Sequence, residues 1–305
     1  MAKYSKALDC IVAGDIVIDL LMDGVIELEV DKEKLVSGMQ IALGGSGGIT
    51  GHNLARLGAR TGFVGVVGQD AFGNFLEQRL TRAGVDLECL RRESSDKTGI
   101  SVWLSKKLQR AAVTYSGTLA MLRARDIPDD YLRKARHLHI GHYFLLTQLH
   151  KDAARLFKKA KALGLTTSLD CNYDPAETWD SGLFDVLRYA DIFFPNENEA
   201  RLLTQGKKPE AAARELNQLA ATVVVKLGAK GALVCNRETT FRVPAKKTRV
   251  VDATGAGDSF NAGFLARFLR GETLRQCALG GIEAGARCVA HVGGTTAFEN
   301  LKSSR

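Results

Sequence analysis

Between residues 137 and 227 the chain repeats one pattern, and that pattern leaves few folds open. Short apolar runs at 137–141, 166–170, 191–195 and 222–227 have the length and composition of buried strands. Helical stretches such as 149–163 and 198–203 lie between them. Such alternation implies a mainly parallel sheet with helices on both faces. The apolar run 8–13, ending in Gly14-Asp15, reads as a further buried strand. In a sheet of this kind ligands are met where strands end. The polar clusters Gly141-His142, Asp170-Cys171-Asn172 and Asn196-Glu197-Asn198-Glu199 fall at such ends.

The rest of the first half reads differently. Residues 16–40 alternate loosely, with acids between Val25, Leu28 and Val30, as exposed strands do. Residues 98–102 and 111–115 form a hairpin-like pair, and together these segments predict a small sheet apart from the main one. Residues 61–73 read as a buried strand with a glycine turn, then a helix through Leu80; Gln69 and Asp70 are expected to fix that turn.

Bulk properties exclude more than they assign. The 305 residues permit one large or two small domains, and 45% apolar with 25% charged residues is the balance of a soluble globular protein. The net charge of +8 invites a nucleic-acid partner, but the basic residues are spread among acids without a long block. A solvated basic surface is expected, with no nucleic-acid and no membrane partner. The six cysteines lack C-x-x-C or Cys/His ligand spacing, so reduced thiols and a cytoplasmic location are expected. The six histidines show neither zincin nor triad spacing.

The chemistry concentrates in Asp252-Ala253-Thr254-Gly255-Ala256-Gly257-Asp258-Ser259-Phe260. An extended-looking run, 241–251, precedes it, and Phe260, Phe264, Leu265, Phe268 and Leu269 follow at helical spacing. The glycines therefore sit where a loop enters a helix, a place that binds anions through free N–H groups and the helix dipole. Asp258 in the first turn has two readings. It is an ordinary acidic helix start, or it takes the proton of a hydroxyl attacking a phosphate held there.

This stretch closely resembles the D-x-T-G-A-G-D-S-F signature of the ribokinase-like carbohydrate kinases, the PfkB family. Residues 44–58, Gly44-Gly45-Ser46-Gly47-Gly48 running into Leu54-Ala55-Arg56-Leu57-Gly58, are similar to that family's N-terminal G-G-x-x-x-N…L-A-R-L-G signature. The segments Gly65 to Gly73, Asp170-Cys171-Asn172-Tyr173-Asp174-Pro175, Asn196-x-x-Glu199 and 223–233 match it in the same order. The resemblance implies a single ribokinase-like α/β kinase domain over 1–305, with a small β-lid from segments near 16–41 and 98–119 that often makes a homodimer. It implies transfer of the ATP γ-phosphate to a hydroxyl of a sugar or sugar-like alcohol.

By the same resemblance Asp258 is the base, with Gly255, Ala256 and Gly257 forming the anion hole. Asp19, Gly44 and Gly45 hold the sugar. Asn53 either replaces the family's Asn, which falls on Ile49, or faces solvent. Gly228, Gly231, Thr254 and Lys226 attend the nucleotide, although Lys226 stands where the family has Thr and is equally a surface lysine. Asn196 and Glu199 place Mg²⁺ indirectly, and Asp252 with Thr254 marks a K⁺ site. Val17 and Ile282 also depart from the family's polar residues, and Asp174 replaces its Arg. Two rivals remain: a nucleoside kinase of the same fold, with Trp103 and Tyr115 in a roomier lid, or a non-catalytic ligand-binding relative.

Overall fold

A computed structural model describes residues 6–106 and 109–301. Eight strands form the main sheet: β1 (Leu8–Gly14), β4 (Thr61–Val64), β9 (Ala135–Gly141), β10 (Thr166–Leu169), β11 (Ile192–Phe193), β12 (Thr222–Lys226), β13 (Ala232–Asn236) and β14 (Thr240–Val243). Their spatial order is β14-β13-β12-β11-β10-β9-β1-β4. The pairs from β4 across to β12 are parallel, and β13 and β14 close the sheet as an antiparallel meander.

Side-chain alternation builds a core on each face. From β1, Ile11 and Ala13 enter one apolar cluster while Cys10 and Val12 enter the other. The first cluster is covered by α3 (Asp129–Arg133), α4 (His150–Ala162), α5 (Leu183–Leu187), α6 (Glu197–Leu203) and α7 (Pro209–Leu216). The second is covered by α1 (Ser46–Arg56), α2 (Ala71–Arg82), α8 (Ala256–Phe268) and α9 (Leu274–Val289). Phe264 of α8 is fully buried there and meets Phe194 edge-on at 5.2 Å. His137 and His139 also point into this core. They bond Thr166 and Ser168 at 2.7–2.8 Å, and burial holds both rings well below the usual imidazole range, so they are neutral packing residues.

The small sheet is present as expected: β2 (Val17–Asp23), β3 (Gly38–Gly44), β7 (Ile100–Lys106) and β8 (Gln109–Tyr115), in the order β3-β2-β7-β8. The lid segment expected over 98–119 includes 107 and 108, which lie outside the described residues. Only Asp15 and Ile16 separate β1 from β2, so the lid springs directly from the main sheet's carboxyl edge. Its inner face carries Asp19, Gln40, Trp103 and Ser105; its outer face exposes Met39, Ile41, Val113 and Tyr115.

Two expectations change in detail. The buried strand expected from Thr61 is interrupted at Gly65, and the second piece, β5 (Val66–Gly68), pairs instead with β6 (Arg91–Glu93). Asp70 does fix the turn: it caps α2 by accepting from Gly73 N and also accepts from Thr98 N and Oγ1, all at 2.8 Å. The extended run 241–251 is strand only as far as Val243, because Pro244 has no N–H to continue the ladder.

Candidate active site

The carboxyl ends of β1, β9, β10 and β12 meet the first turns of α1 and α8. Gly255 is the N-cap of α8 with φ 71°, a left-handed turn that an L side chain resists; a Cβ there would also lie 2.6 Å from Gly294 Cα. Ile49, the residue in place of the family's Asn, packs against this cap, 3.3 Å from the same point. Within α8 the first-turn bonding includes Ser259 N–H to Gly255 O at 2.8 Å, so the N–H groups of Gly257 and Asp258 precede it. Ala256 N–H reaches Ala253 O only at 3.3 Å. An anion placed at this turn meets donors.

Asp258 keeps some exposure, yet is crowded by charge. Ser46, the first residue of α1, donates its hydroxyl to Asp258 Oδ1 at 2.5 Å, and Asn172 Nδ2 donates to the same Ser46 oxygen at 3.0 Å. Burial pushes the Asp258 carboxyl up to about 6, reinforced by Asp170 and Asp15 and opposed by Ser46 and Lys226. A carboxylate so tuned is largely ionised at neutral pH and still accepts a proton readily.

Beneath it lies an ion pair that the sequence did not announce. Lys226, at the end of β12, bonds Asp170, at the end of β10, and Asn261 Nδ2 donates to the same Asp170 oxygen at 2.5 Å. Burial alone would raise Asp170 and lower Lys226; their mutual attraction wins, so Asp170 titrates below and Lys226 above its ordinary range. Lys226 is not a surface lysine. Its Nζ lies 3.4 Å from where a Cβ on Gly257 would stand, beside the positive end of α8.

Asn196 and Glu199 lock each other at the start of α6. Asn196 Oδ1 accepts from Glu199 N at 2.9 Å, while Asn196 N and Nδ2 donate to the two Glu199 oxygens at 2.8 and 2.5 Å. Burial, then the charge of Asp170, pushes the Glu199 carboxyl up. Asp170, Cys171 and Glu199 place one ligand atom each within 4.8 Å of one another. Two crowded buried carboxylates fit a hard divalent cation held through its waters, whereas the thiol does not; Mg²⁺ matches that donor set.

The remaining expected residues sort themselves by geometry. Asp19 is buried on the lid's inner face and receives Trp103 Nε1–H at 3.1 Å; Gly44 is glycine because a Cβ would strike that carboxylate. Gly45, with φ 82°, is the N-cap of α1. Asp252 Oδ1 accepts from Thr254 N and Oγ1 at 2.9 and 2.7 Å, and Oδ2 from Gly293 N at 2.8 Å, so it holds the 252–255 loop against 293. Gly228 has φ 56° and borders open space, as a nucleotide contact requires. Gly231 answers to the fold, since a Cβ would strike Val243 O.

Asn53 neither lines a cavity nor faces solvent. It is fully buried, and its Nδ2 donates to Ser259 Oγ and Gly294 O, both at 2.9 Å. It ties α1 to α8 and to the 293–294 turn, and so positions the site from behind. Asn53→Ala is expected to cost about 1–3 kcal/mol in chemical denaturation by leaving Gly294 O with only the weak Cys288 thiol donor. A fall in substrate affinity with unchanged stability would give Asn53 back its direct role.

Between the lid's inner face and the 250–254 loop is a cavity of about 470 Å³, lined by Asp23, Gln40, Trp103 and Ser105 above and by Asp252 and Thr254 below. Larger clefts of about 610 and 710 Å³ lie against α8–α9 and along α4, away from the strand ends.

Known proteins resemble this chain in sequence and fold. The sequence profile of the pfkB family carbohydrate kinases matches residues 8–301. The chain belongs to the PfkB family. It is 32% identical over 264 residues to a 2-dehydro-3-deoxygluconokinase of Bacillus subtilis, spanning 82% of each chain. The crystal structure of a PfkB protein from Polaromonas sp. JS666 superposes with a TM-score of 0.81 at 26% identity, over 96% of this chain and all of that one. A putative ribokinase II from E. coli, solved with ATP and Mg²⁺, superposes at 0.83 and 24% identity over 97% and 96%. The fold is ribokinase-like, and relatives include a probable fructokinase, a ribokinase and a nucleoside kinase. Among the described residues no helix is long and apolar enough to cross a membrane.

From sequence alone Asp258, the glycines, Asp19 and the 196–199 motif stand out. Ser46, Asp170 and Asn172 appear there only as parts of longer stretches, and Asn261 has no role. The one available signal was position at strand or helix ends.

Proposed function

We propose that this PfkB-family kinase is an ATP-dependent phosphotransferase acting on a hydroxyl of a sugar or sugar-like alcohol, within one kinase domain. The observation that carries this is Asp258: a carboxylate raised to about 6 in the first turn of a helix whose first N–H groups could receive an anion. In the reaction the substrate hydroxyl oxygen forms a bond to the γ-phosphorus and its proton passes to Asp258. The bond from that phosphorus to the bridging oxygen breaks, and ADP leaves. The N–H groups of Gly257 and, more weakly, Ala256 hold the transferring phosphoryl oxygens, and Lys226 adds positive charge beside them. Gly228 and Thr254 border the nucleotide. Asn196, Glu199 and Asp170 would hold Mg²⁺ through water; when bound it neutralises phosphate charge. Asp252 is the candidate group beside a K⁺ ion. Asp19 binds substrate hydroxyls under the lid, whose exposed apolar outer face is where a homodimer would form.

A nucleoside substrate is the second reading, favoured by the Trp103 indole on the cavity wall. The test is ADP release over free sugars, 2-dehydro-3-deoxygluconate, sugar phosphates, polyols and nucleosides, with Asp258→Asn as the control. We expect turnover on a free sugar or sugar acid. Turnover confined to nucleosides would select the second reading, and silence without ATP binding would remove both.

A further inference from the structure

The cleft of about 710 Å³ along α4 has no part in the scheme above, and its walls are basic. Its volume is that of a small-molecule site. Arg123, Arg125, Lys151, Arg155 and Lys159 line it, against one acid, Asp152.

The sequence sets up this display. On α4, Ala153, Leu156, Phe157 and Ala160 are buried in the core, which leaves Lys151, Arg155 and Lys159 to the solvent side. Opposite, Leu122 and Ile127 are buried in the same core and anchor the single turn Ala124–Asp126 between them. Asp126, the acid of that turn, is spent on Arg91 at 3.3 Å and on Arg123 N at 2.9 Å, and does not line the cleft.

The cations differ in what they meet. Asp152 and Asp129 answer Arg155 and Lys159 at 2.8 and 2.7 Å. Arg125 and Lys151 are exposed and have no ion-pair partner among the described residues. Arg123 Nε donates to Gln148 Oε1 at 2.5 Å, which steadies the guanidinium and leaves its two terminal nitrogens without an acceptor there. Like charges lining one cleft repel, and an anion between them relieves that repulsion. Arginine forks with a lysine suit phosphate oxygens, and three unanswered cations on two walls call for more than one phosphate.

The cleft also has a path to the active site. Thr147 and Gln148 belong to the loop that joins the turn Tyr143–Leu145 to α4. Tyr143 N–H and Phe144 N–H donate to Asp170 O and Cys171 O at 3.1 and 3.3 Å, while His150 Nε2, on α4, lies 2.9 Å from Tyr143 O. Asp170 in turn holds Lys226 beside Gly257.

We propose that this cleft is an effector site for a small bisphosphorylated molecule, held between Arg123 and Arg125 on one wall and Lys151 and Arg155 on the other. Its occupant acts on nucleotide affinity through the Tyr143–Leu145 turn, a link that rests on the kinase reading.

The test is calorimetry with inorganic pyrophosphate as the probe. Mg²⁺ is left out, and the nucleotide site is filled by the non-hydrolysable ATP analogue AMP-PNP. Wild type should bind one pyrophosphate per chain with a Kd below about 1 mM. Arg125→Ala with Lys151→Ala should weaken this about 10–100-fold at an unchanged melting temperature, since both side chains are exposed. Arg125→Lys with Lys151→Arg keeps the charge and should bind within about threefold of wild type. In the reverse titration, saturating pyrophosphate should change the Kd of AMP-PNP about fivefold or more in wild type and leave the alanine variant unmoved. No pyrophosphate bound by wild type, or equal affinity in the alanine variant, overturns the site. Sulfate bound as tightly as pyrophosphate means an adventitious ion only and also overturns it. An AMP-PNP Kd unmoved in wild type, or moved equally in both, overturns the effector role. Failure of AMP-PNP to bind at all counts against the kinase reading, and the pyrophosphate comparison still decides the cleft.

Discussion

Asp258→Asn should lower kcat by about 10²–10⁴ while leaving ATP affinity within a few-fold, because the amide keeps the shape and loses only the proton acceptor. Single-turnover phosphorylation beside ATP titration separates the two quantities. Wild-type kcat/KM should fall about tenfold per unit below pH 6, since Asp258 works only when ionised and burial has raised it to about 6. Ser46→Ala removes the hydroxyl that favours the ionised form, so the acid limb should move to higher pH.

Stability moves the other way. A carboxyl raised from 3.8 favours the fold when protonated, and that contribution is lost as pH rises through about 6. At pH 7.5 the ionised base is a burden on the fold. Asp258→Asn should therefore melt no earlier than wild type there. Earlier melting, or kcat within a few-fold of wild type, would count against Asp258 as the base.

Lys226→Met should cost about 3–5 kcal/mol in stability, because it leaves Asp170 buried and charged with only the neutral donors Asn261 Nδ2 and Asn172 N–H to meet it. Urea unfolding at pH 7.5 reads this. The deficit should shrink as pH falls: without the ammonium, Asp170 takes up a proton at higher pH than in wild type, and neutralisation removes the unpaired charge. Adding Asp170→Asn to Lys226→Met should recover much of the stability. It should not recover kcat, since the positive charge beside Gly257 is still missing. Recovery of both together would reduce Lys226 to a packing residue. A Lys226→Met variant as stable as wild type would show that the buried pair contributes nothing to stability.

The two predictions mark the boundary between local and tertiary information. The sheet was legible because short apolar strands, most of them separated by helices, carry their periods in the sequence itself. So was Asp258, because a glycine pair before an amphipathic helix makes an anion site from local backbone alone. The Asn196–Glu199 lock was legible for the same reason, as one short motif at a strand end, whereas Asp19, expected where the chain leaves the first strand, lies inside β2.

What escaped the sequence involves groups far apart in the chain. Lys226 could be read as a surface lysine, because nothing near it names Asp170, 56 residues away. Asn53 read as a substrate contact or a solvent-facing residue, yet it is buried, since its partners Ser259 and Gly294 arrive only when α1 packs on α8. His142 and Asp15 come together 127 residues apart because β1 and β9 are neighbours in the sheet. Local backbone preferences determine where strands end and where an anion finds bare N–H groups. Which charges then face one another, and so how each titrates, is decided by strand order and helix packing.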